Sequence, residues 1–440
     1  MKVLIIGRWG KTHALAKALC QHSGIELYAV MDKLNGGIAE LATEYMLCDI
    51  QDVKRIETFA KEKNIDLVLV VPAMALETDI TTHFSQKGFP CVGPSKFCTR
   101  LEGDKAFLRY LMKTNNIDAY PDFNIFYDRS KAVEFIRNYS LPFAVKPAGI
   151  TEGDGVKVMG IQLRDKQEAI SYVEEIFDTA IGGLPCVIIE EKITGEEFTI
   201  QFFCDGKTIL PSPVVRDYKL LEEGDGGLNT PGMGSITFSG HSLPFLNREQ
   251  VNDSVKIIAD ILNALKENYN EKFKGILSGQ YMVTEDGIKL IEINIRPGDS
   301  EVLNIVPILD TDFVTICAAI AEERLEEISI RFRKKATVCK YVVPEGFPEL
   351  QPPVKVQIDR NKFDGEKIHL FQSCFDEGNS MYSPSPRLFA VTGVGDNLKE
   401  AYALCEEGIA GIQGEGLFHR RDIGNPELFR KYKTYDLMTD

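Results

Sequence analysis

The stretch Leu290–Asp299, which reads Leu-Ile-Glu-Ile-Asn-Ile-Arg-Pro-Gly-Asp, alternates apolar and polar side chains and decides how the surrounding chain folds. A period of two residues predicts a β-strand with two unlike faces. The apolar face carries Ile291, Ile293 and Ile295. The polar face carries Glu292, Asn294 and Arg296, and each lies about 7 Å from the next along the strand. We therefore expect one side of this strand to cover a core and the other side to present functional groups.

The polar face of this strand has the chemistry of a magnesium site. Carboxylate and amide oxygens are hard donors, which Mg²⁺ prefers, and the ion keeps waters or substrate phosphates in its other positions. Arg296 beside such a metal suits a phosphate or a developing acyl phosphate. The simpler alternative is an antiparallel strand whose polar face is only solvated. A preceding strand over Gly279–Thr284 and a Glu285-Asp286-Gly287 turn place the pattern on the second strand of a hairpin.

Composition excludes several classes of function. The 440 residues carry a formal net charge of -15 without a basic tract, which argues against nucleic acid or an anionic membrane as partner. No apolar run has the length of a membrane span, and Val3–Ile6 is too short for a signal peptide. The ten cysteines form no Cys-x-x-Cys pair, so neither zinc nor a disulfide framework is indicated. We expect a cytoplasmic protein with reduced thiols and roughly two to four domains.

Roughly the first hundred residues show a repeated strand–helix pattern. Short apolar runs lie at Val3–Ile6, Leu27–Met31, Leu67–Val71 and Pro90–Gly93, with helical patterns between them. This order indicates an open parallel sheet. The turn from Gly7 to Gly10 leads into a predicted helix over Lys11–Cys20. Because the turn lacks the third glycine of a dinucleotide fingerprint, a backbone-amide cradle for a phosphate is favoured over NAD binding.

Two glycine-rich segments occur in the middle of the chain. Lys146 ends one predicted strand and is followed by the loop Ala148–Val156, whose amides suit phosphate groups, although a plain turn is the alternative. The second segment, Gly224–Ser235, is predicted to be irregular and therefore functional or mobile.

The remaining elements are predicted from apolar periodicity. Helices are expected over Leu101–Lys113, Asn247–Asn268 (capped by Asn247) and Ala401–Ile412, and strands over Val187–Glu191 and Phe198–Cys204. After Arg324 the segments are short and β-like, with proline breaks, which indicates a β-rich C-terminal region.

Six groups of residues occur in a characteristic order along almost the whole chain. They are Gly7, Gly10, His13 and Ala14; Leu101-Glu102 with Lys105-Ala106-Phe107; Glu190-Glu191 with Gly195-Glu196-Glu197; Leu210-Pro211, Asp217, Lys219, Asn229-Thr230 and Gly232-Met233-Gly234; Ile291-Glu292, Asn294, Arg296, Gly298-Asp299 and Glu301; and Arg421-Asp422-Ile423-Gly424. In this order they resemble the ATP-grasp superfamily and, within it, the phosphoribosylamine–glycine ligase family.

This resemblance implies an α/β fold, namely an ATP-grasp fold with an N-terminal open parallel sheet domain and a small β-rich C-terminal domain. It places a Rossmann-like substrate domain over 1–100, an ATP-grasp domain over 101–325 with a nucleotide-binding subdomain at about 120–190, and the β-rich domain over 326–440. The implied activity is ATP-dependent amide formation through an acyl phosphate, joining glycine to phosphoribosylamine in purine biosynthesis. ATP and Mg²⁺ (or Mn²⁺) are implied as cofactors, small-molecule amino acid and amine substrates as partners, and a monomer or homodimer as the assembly.

The resemblance also implies a role for individual residues. For ATP, Lys105 and Lys146 contact the phosphates, Glu190, Glu191 and Ile193 frame the adenine, and Glu197 holds the ribose. Glu292 and Asn294 are the implied Mg²⁺ ligands. Arg296, Lys146 and Asp217 form the implied catalytic set, in which Arg296 stabilises the acyl phosphate. The implied substrate-binding set is Gly10, Lys11, Asp217, Lys219, Asn229, Gly298 and Asp299.

The chain departs from the family at four places. The N-terminal loop usually reads Gly-Asn-Gly-Gly-Arg-Glu-His, whereas here Trp9 stands at a glycine position and Lys11 at the arginine. The carboxylate of a Gly-Pro-Glu motif is replaced by Ala73, and a Gly-Gly-Arg motif by Ser385-Pro386-Arg387. The lysine of a Gly-Lys-Gly phosphate loop is replaced by Asp154.

Three hypotheses remain open from the sequence. The first is a ligase acting on glycine and phosphoribosylamine, and the second is a paralogue joining an amino acid to a different amine. The pocket around Arg8, Trp9 and Ala73 separates these two. The third is a nucleotide-binding regulator without catalysis, which Asp154 favours and the retained Lys146 and Glu292 disfavour.

Overall fold

The computed structural model describes residues 1–149, 155–384 and 387–432. Its N-terminal elements are β1 (Lys2–Ile6), α1 (Gly10–Cys20), β2 (Glu26–Met31), α2 (Gly36–Leu41), β3 (Glu44–Leu47), α3 (Val53–Lys63), β4 (Leu67–Val70), α4 (Ala73–Leu76), α5 (Ile80–Gln86) and β5 (Cys91–Val92). The five strands form a parallel sheet in the order β3-β2-β1-β4-β5, which confirms the predicted open parallel sheet. Val3 to Ile6 are fully buried because helices cover both faces of a central parallel strand.

The middle of the chain forms two antiparallel sheets and a long helix. Its elements are α6 (Arg100–Gly103), α7 (Lys105–Thr114), β6 (Phe123–Phe126), α8 (Arg129–Asn138), β7 (Phe143–Pro147), β8 (Lys157–Val158), α9 (Lys166–Thr179), β9 (Val187–Glu191), β10 (Glu196–Asp205), β11 (Ile209–Pro211), β12 (Arg216–Glu222), β13 (Gly226–Thr237), α10 (Arg248–Tyr269), β14 (Lys274–Thr284), β15 (Gly287–Asn294), α11 (Glu301–Ile305) and α12 (Phe313–Ala321). One sheet has the order β6-β9-β7-β8 and the other β11-β10-β14-β15.

The C-terminal region is β-rich, as predicted. Its elements are β16 (Ala336–Pro344), β17 (Val354–Ile358), β18 (Ile368–Gln372), β19 (Phe375–Gly378), β20 (Met381–Ser383), β21 (Phe389–Gly395), α13 (Leu398–Ile409), β22 (Ile412–Gly414) and β23 (Leu417–Phe418). Short 3₁₀ helices lie at Ile181–Gly183, Val306–Ile308, Leu325–Glu327, Arg360–Lys362 and Pro426–Phe429. The central hairpin β12–β13 joins this region through β16, in a sheet of order β12-β13-β16-β21-β18.

Two predicted elements differ in the structure. The helix expected over Leu101–Lys113 is divided into α6 and α7 at Asp104, whose carboxylate caps α7 by accepting from the Phe107 N–H at 2.9 Å. The segment Gly224–Ser235 was expected to be irregular, but from Gly226 it belongs to strand β13. Two register shifts in its pairing with β12 accommodate the glycines.

The predicted cap of α10 is confirmed. Asn247 caps α10 in a capping box with Gln250, as the sequence indicated. All ten cysteines are free thiols. Within the described ranges, no helix combines the length and the apolar character that crossing a membrane requires.

Candidate active site

A β-bulge in β15 sets the direction of the polar residues Glu292 and Asn294. Tyr281 pairs with Leu290 but Gln280 pairs with Glu292, so Ile291 is an extra residue in the ladder. The buried residues are therefore even-numbered before the bulge, up to Leu290, and odd-numbered after it, from Ile293. The prediction that Ile291 shares one buried face with Ile293 is wrong, since Ile291 is only half-buried. Beyond the bulge, Glu292 faces Gln280 across the hairpin and Asn294 faces Ser278.

Lys146 and Glu190 form a buried ion pair between neighbouring strands β7 and β9. Lys146 Nζ lies 2.5 Å from the Glu190 carboxylate, which is 2% exposed. Arg109 of α7 donates to the same carboxylate at 2.7 Å. Burial by itself would raise the pKa of Glu190, but Arg109 and Lys146 lower that pKa to about 2. The Glu190 side chain is therefore ionised and engaged with these two cations.

Lys105 lies at the first position of α7, directly after the capping Asp104. Its Nζ donates to the Gly149 carbonyl at 2.6 Å, at the start of the glycine-rich loop. Burial lowers the pKa of Lys105, with Lys146 as a further lowering influence and Glu292 opposing both. Residues Ile150 to Asp154 of the loop, including the departure at Asp154, lie outside the described residues, as do Ser385 and Pro386.

Glu292 is the carboxylate on which the cations of this site converge. Lys219 Nζ lies 3.5 Å from its Oε1 and donates to Gln280 Oε1 at 2.7 Å. Burial would raise the pKa of Glu292, but Lys219, Lys105 and Lys146 together hold it below its usual value. Three lysines therefore act on one carboxylate, and ammonium groups are suitable partners for the phosphates of ATP.

The strand face around Glu292 also fits a magnesium ion. Glu292 and Asn294 supply a carboxylate and an amide oxygen two residues apart, and the opposite Ser278 hydroxyl is buried without a hydrogen-bond partner among the described residues. Among the residues that the structure describes, no group of three or more His, Cys, Asp or Glu side chains could enclose a metal. Mg²⁺ suits this sparse set because it commonly binds one or two carboxylates and takes its other ligands from phosphate and water.

Arg296 is held by Glu102 at the end of the same segment. Its Nη2 lies 3.1 Å from Glu102 Oε1, and the other carboxylate oxygen accepts from the Ile295 N–H at 2.9 Å. Lys11 reaches this point from α1, with Nζ 3.5 Å from the Pro297 carbonyl oxygen. Burial and the nearby Arg296 lower the pKa of Lys11 to about 7, against the opposing effects of acidic neighbours.

Asp217 and Asp299 occupy different electrostatic surroundings. Asp299 is paired with Arg387 at 3.0 Å and accepts from the Tyr341 hydroxyl. The Oδ1 atom of Asp217 is buried and has no hydrogen-bond partner in the described part of the chain. Burial and the nearby Glu301 carboxylate raise the pKa of Asp217 well above its usual value. Asp217 therefore has an acceptor available for a cationic group.

Four other sequence-predicted residues lie on β9, β10, β13 and the segment between β9 and β10. Glu191 faces away from Lys146 and accepts from the Asp122 N–H at 3.0 Å. Ile193 is half-buried on the segment between β9 and β10. Glu197 is exposed at the second position of β10, where its carboxylate helps to raise the pKa of Lys219. Asn229 lies opposite Leu220 in the β12–β13 hairpin.

The glycine positions are confined. The Gly10 N–H donates to Ser373 Oγ at 3.3 Å, so this amide of the proposed phosphate cradle is already engaged. The Gly298 N–H donates to Gln201, and a Cβ at Gly298 would lie 2.6 Å from the Glu301 carboxylate.

Sequence reasoning assigned no role to Arg109 or Glu102, although both are central to the geometry. Arg109 is 2% exposed and follows Lys105 by four residues, so the two cations lie on one face of α7. The sequence signal for Arg109 was an arginine four residues after Lys105, between apolar residues of α7.

Comparison with known proteins agrees with this geometry. The sequence matches the N domain of phosphoribosylglycinamide synthetase over residues 1–102, its ATP-grasp (A) domain over 103–302 and its C domain over 337–426. The phosphoribosylamine–glycine ligase of Methanopyrus kandleri is 42% identical, covering 98% of this chain and 97% of the relative. That of Methanocaldococcus jannaschii is 39% identical, with 98% of each chain covered.

The chain belongs to the phosphoribosylglycinamide synthetase family. As a member of this family it is an ATP-dependent ligase with an ATP-grasp domain. The fold agrees, since the crystal structure of phosphoribosylamine–glycine ligase from Thermotoga maritima superposes with a TM-score of 0.81 at 22% identity, over 96% of this chain and 100% of that one. A biotin carboxylase domain from Hydrogenobacter thermophilus, solved with ADP, magnesium and bicarbonate, has a TM-score of 0.72 at 17% identity, over 95% and 91% of the two chains.

Proposed function

We propose that this member of the phosphoribosylglycinamide synthetase family joins glycine to phosphoribosylamine at the expense of ATP, giving glycinamide ribonucleotide, ADP and phosphate. The single observation that carries the proposal is the convergence of Lys105, Lys146 and Lys219 on the bulged strand that holds Glu292. Relatives that carry the name of this ligase align with nearly the whole chain.

The chemistry explains why such a site is needed. A carboxylate is a poor electrophile, and transfer of the γ-phosphoryl group of ATP to glycine makes an acyl phosphate that an amine can attack. The oxygen that leaves glycine ends in the phosphate product. Lys146 and Lys105 would neutralise the nucleotide phosphates, and Arg296, held by Glu102, would neutralise the acyl phosphate. A bound Mg²⁺ would polarise the phosphoryl oxygens, and Glu292 and Asn294 would hold it.

The adenosine end of the nucleotide is assigned to the segment that follows β9. Glu190, Glu191 and Ile193 would frame the adenine, and the Glu190 side chain would hold Lys146 beside the nucleotide. Glu197 would bind the ribose, which its exposure permits.

Glycine would bind between Asp217 and Asp299. The unpartnered Oδ1 of Asp217 suits the ammonium group of an amino acid, and Lys219 suits its carboxylate. Gly298 would contribute close packing, because no Cβ fits there beside Glu301. Asn229 would contact the substrate from the β12–β13 hairpin, which faces this pocket.

The phosphate of the amine substrate would bind at the start of α1. Lys11 supplies a cation, and the Thr12 hydroxyl is fully buried without a hydrogen-bond partner among the residues that the structure describes. The ring of Trp9 lies 5.4 Å from that of Phe375 in β19, so its bulk is directed to the C-terminal region. These contacts support phosphoribosylamine as the acceptor despite the departure at Trp9.

Domain boundaries follow from the same assignment. We assign residues 1–100 to the substrate domain, 101–325 to the ATP-grasp domain and 326–440 to the β-rich domain, with the β12–β13 hairpin bridging the last two.

A screen of acceptors tests the proposal. ADP release is measured with glycine and freshly made phosphoribosylamine, and with glycine and a panel of phosphate-free amines. We expect turnover when phosphoribosylamine is the amine and none with the phosphate-free amines. Turnover only with a phosphate-free amine would favour the paralogue hypothesis, and nucleotide binding without any turnover would favour the regulator.

A further inference from the structure

Arg109 connects two parts of the site that are distant in sequence. Its side chain is buried within α7, where Nε donates to Glu190 Oε1 at 2.7 Å and Nη2 donates to the Ile291 carbonyl oxygen at 2.8 Å. Glu190 belongs to the nucleotide strand β9, and Ile291 is the extra residue of the β15 bulge.

The bulge is what turns Glu292 toward the lysines. Before it, Ile288 and Leu290 occupy the buried positions of β15, and after it the parity changes so that Ile293 is buried. An extra residue interrupts the ladder and leaves backbone groups that need other partners. Arg109 supplies a charged donor to the carbonyl of that residue, and the Leu290 N–H donates to Ala119 instead of to the hairpin.

At its other end, Arg109 shares Glu190 with Lys146. Ile291, Arg109, Glu190 and Lys146 therefore form one chain of contacts, with steps of 2.8, 2.7 and 2.5 Å. The two ends of this chain are the phosphate-binding lysine and the backbone next to the proposed metal ligand.

We propose that Arg109 is a positioning residue that sets the distance between Lys146 and Glu292, so that one nucleotide polyphosphate engages both the lysine and the metal. The inference rests on the proposed function for its assignment of Mg²⁺ to Glu292. Because a guanidinium is a rigid planar fork, it can hold both acceptors at once, whereas a lysine ammonium is a point charge on a flexible stem.

A purely structural role for Arg109 would be to neutralise Glu190, and Arg109→Lys separates the two roles. This variant keeps a charge beside Glu190 but loses the bond to Ile291. We expect it to bind ADP without metal about as well as the wild type does, and to need about tenfold more Mg²⁺ for half-maximal MgADP binding, the cost typical of losing a group that supports a metal ligand. Both affinities are measured by titration calorimetry.

Arg109→Ala with added guanidinium is the second test. Guanidinium ions should lower the Mg²⁺ concentration that this variant needs for half-maximal MgADP binding. The control is Arg129→Gln, which alters an exposed arginine paired with Asp178, and guanidinium should leave its Mg²⁺ requirement unchanged. Circular dichroism and thermal unfolding check that each variant is folded. Wild-type Mg²⁺ dependence in folded Arg109→Lys, or a folded Arg109→Ala that guanidinium does not improve, would overturn the inference. Since binding is the readout, wild-type protein that binds MgADP without ligating glycine would contradict the proposed function and leave this test intact.

Discussion

Lys219 of β12 and Glu292 of β15 face each other, with 3.5 Å between Lys219 Nζ and Glu292 Oε1. Lys219 also donates to Gln280, which lies opposite Glu292 in the hairpin. The burial of Lys219 would lower its pKa, but Glu292 and other carboxylates raise it, so this lysine stays charged. The pair thus keeps Glu292 ionised, which is the state that a metal requires.

Replacing Glu292 should remove metal-dependent activity without unfolding the protein. Glu292→Gln retains the size of the side chain but loses the charge, and the native side chain is 30% exposed, so little packing is lost. We expect ADP release to fall below detection while the unfolding midpoint stays within a few degrees, because glutamine keeps the volume of a side chain that is only partly buried. Full activity, or a variant that does not fold, would contradict the metal assignment.

Lys146→Met should lower turnover by about 10²-fold, because a preorganised charge contact to the transferring phosphoryl group is lost. Steady-state ADP release gives the number. Lys131→Met, which changes an exposed lysine of α8, is the matched control and should behave as the wild type does. Equal rates for the two variants would exclude Lys146 from phosphate binding.

Binding of the amine substrate should weaken as the pH rises through about 7. Lys11 has a pKa of about 7 in the folded protein, lowered by burial, so its cation is lost above that value in the free enzyme. The kcat/KM for phosphoribosylamine should therefore fall between about pH 7 and 9, and Lys11→Arg should remove this decline because arginine stays charged. Identical profiles for the two proteins would show that Lys11 does not bind the phosphate.

The lowered pKa of Lys11 also predicts how the free energy of unfolding changes with pH. Its pKa is lower when folded than when unfolded, so between about pH 7 and 10.5 the unfolded chain binds more protons and stability rises with pH. Lys11→Met should flatten this rise, by on the order of 2–4 kcal/mol between pH 7 and 10. Denaturant unfolding at both pH values measures it, and parallel curves for wild type and variant would contradict the burial of a titrating lysine.

Asp217→Asn should raise the KM for glycine by about 10- to 100-fold. A bound ammonium would favour the ionised form of Asp217 despite its raised pKa, and an amide cannot supply that charge. The KM for ATP should change little, because Asp217 lies in the β12–β13 hairpin and not beside Lys146. A larger effect on ATP than on glycine would place Asp217 elsewhere in the site.

The sequence predicts this molecule best where the signals are local. The cap of α10 at Asn247 and the buried strand Val3–Ile6 depend on neighbours in sequence, and both are present as expected. The ordered motifs also identified the fold and the strand that carries Glu292.

Features that depend on distant partners were missed. The carbonyl of Ile291 at the bulge accepts from Arg109, which lies 182 residues earlier. The glycine-rich hairpin becomes ordered because Arg420 donates to Leu220 and Asp225 near its tip, and Asp422 accepts from the Gly224 N–H. Periodicity within one segment carries no information about such long-range contacts.

The fate of the glycine carboxylate oxygens distinguishes activation through an acyl phosphate from plain hydrolysis of ATP. Glycine labelled with ¹⁸O in its carboxylate is turned over with ATP and phosphoribosylamine, and the inorganic phosphate is analysed by mass spectrometry. Activation through an acyl phosphate predicts that each turnover transfers one ¹⁸O atom to phosphate and that Glu292→Gln abolishes the transfer. Phosphate that forms without ¹⁸O would contradict the account, because ATP would then be hydrolysed without activating the carboxylate.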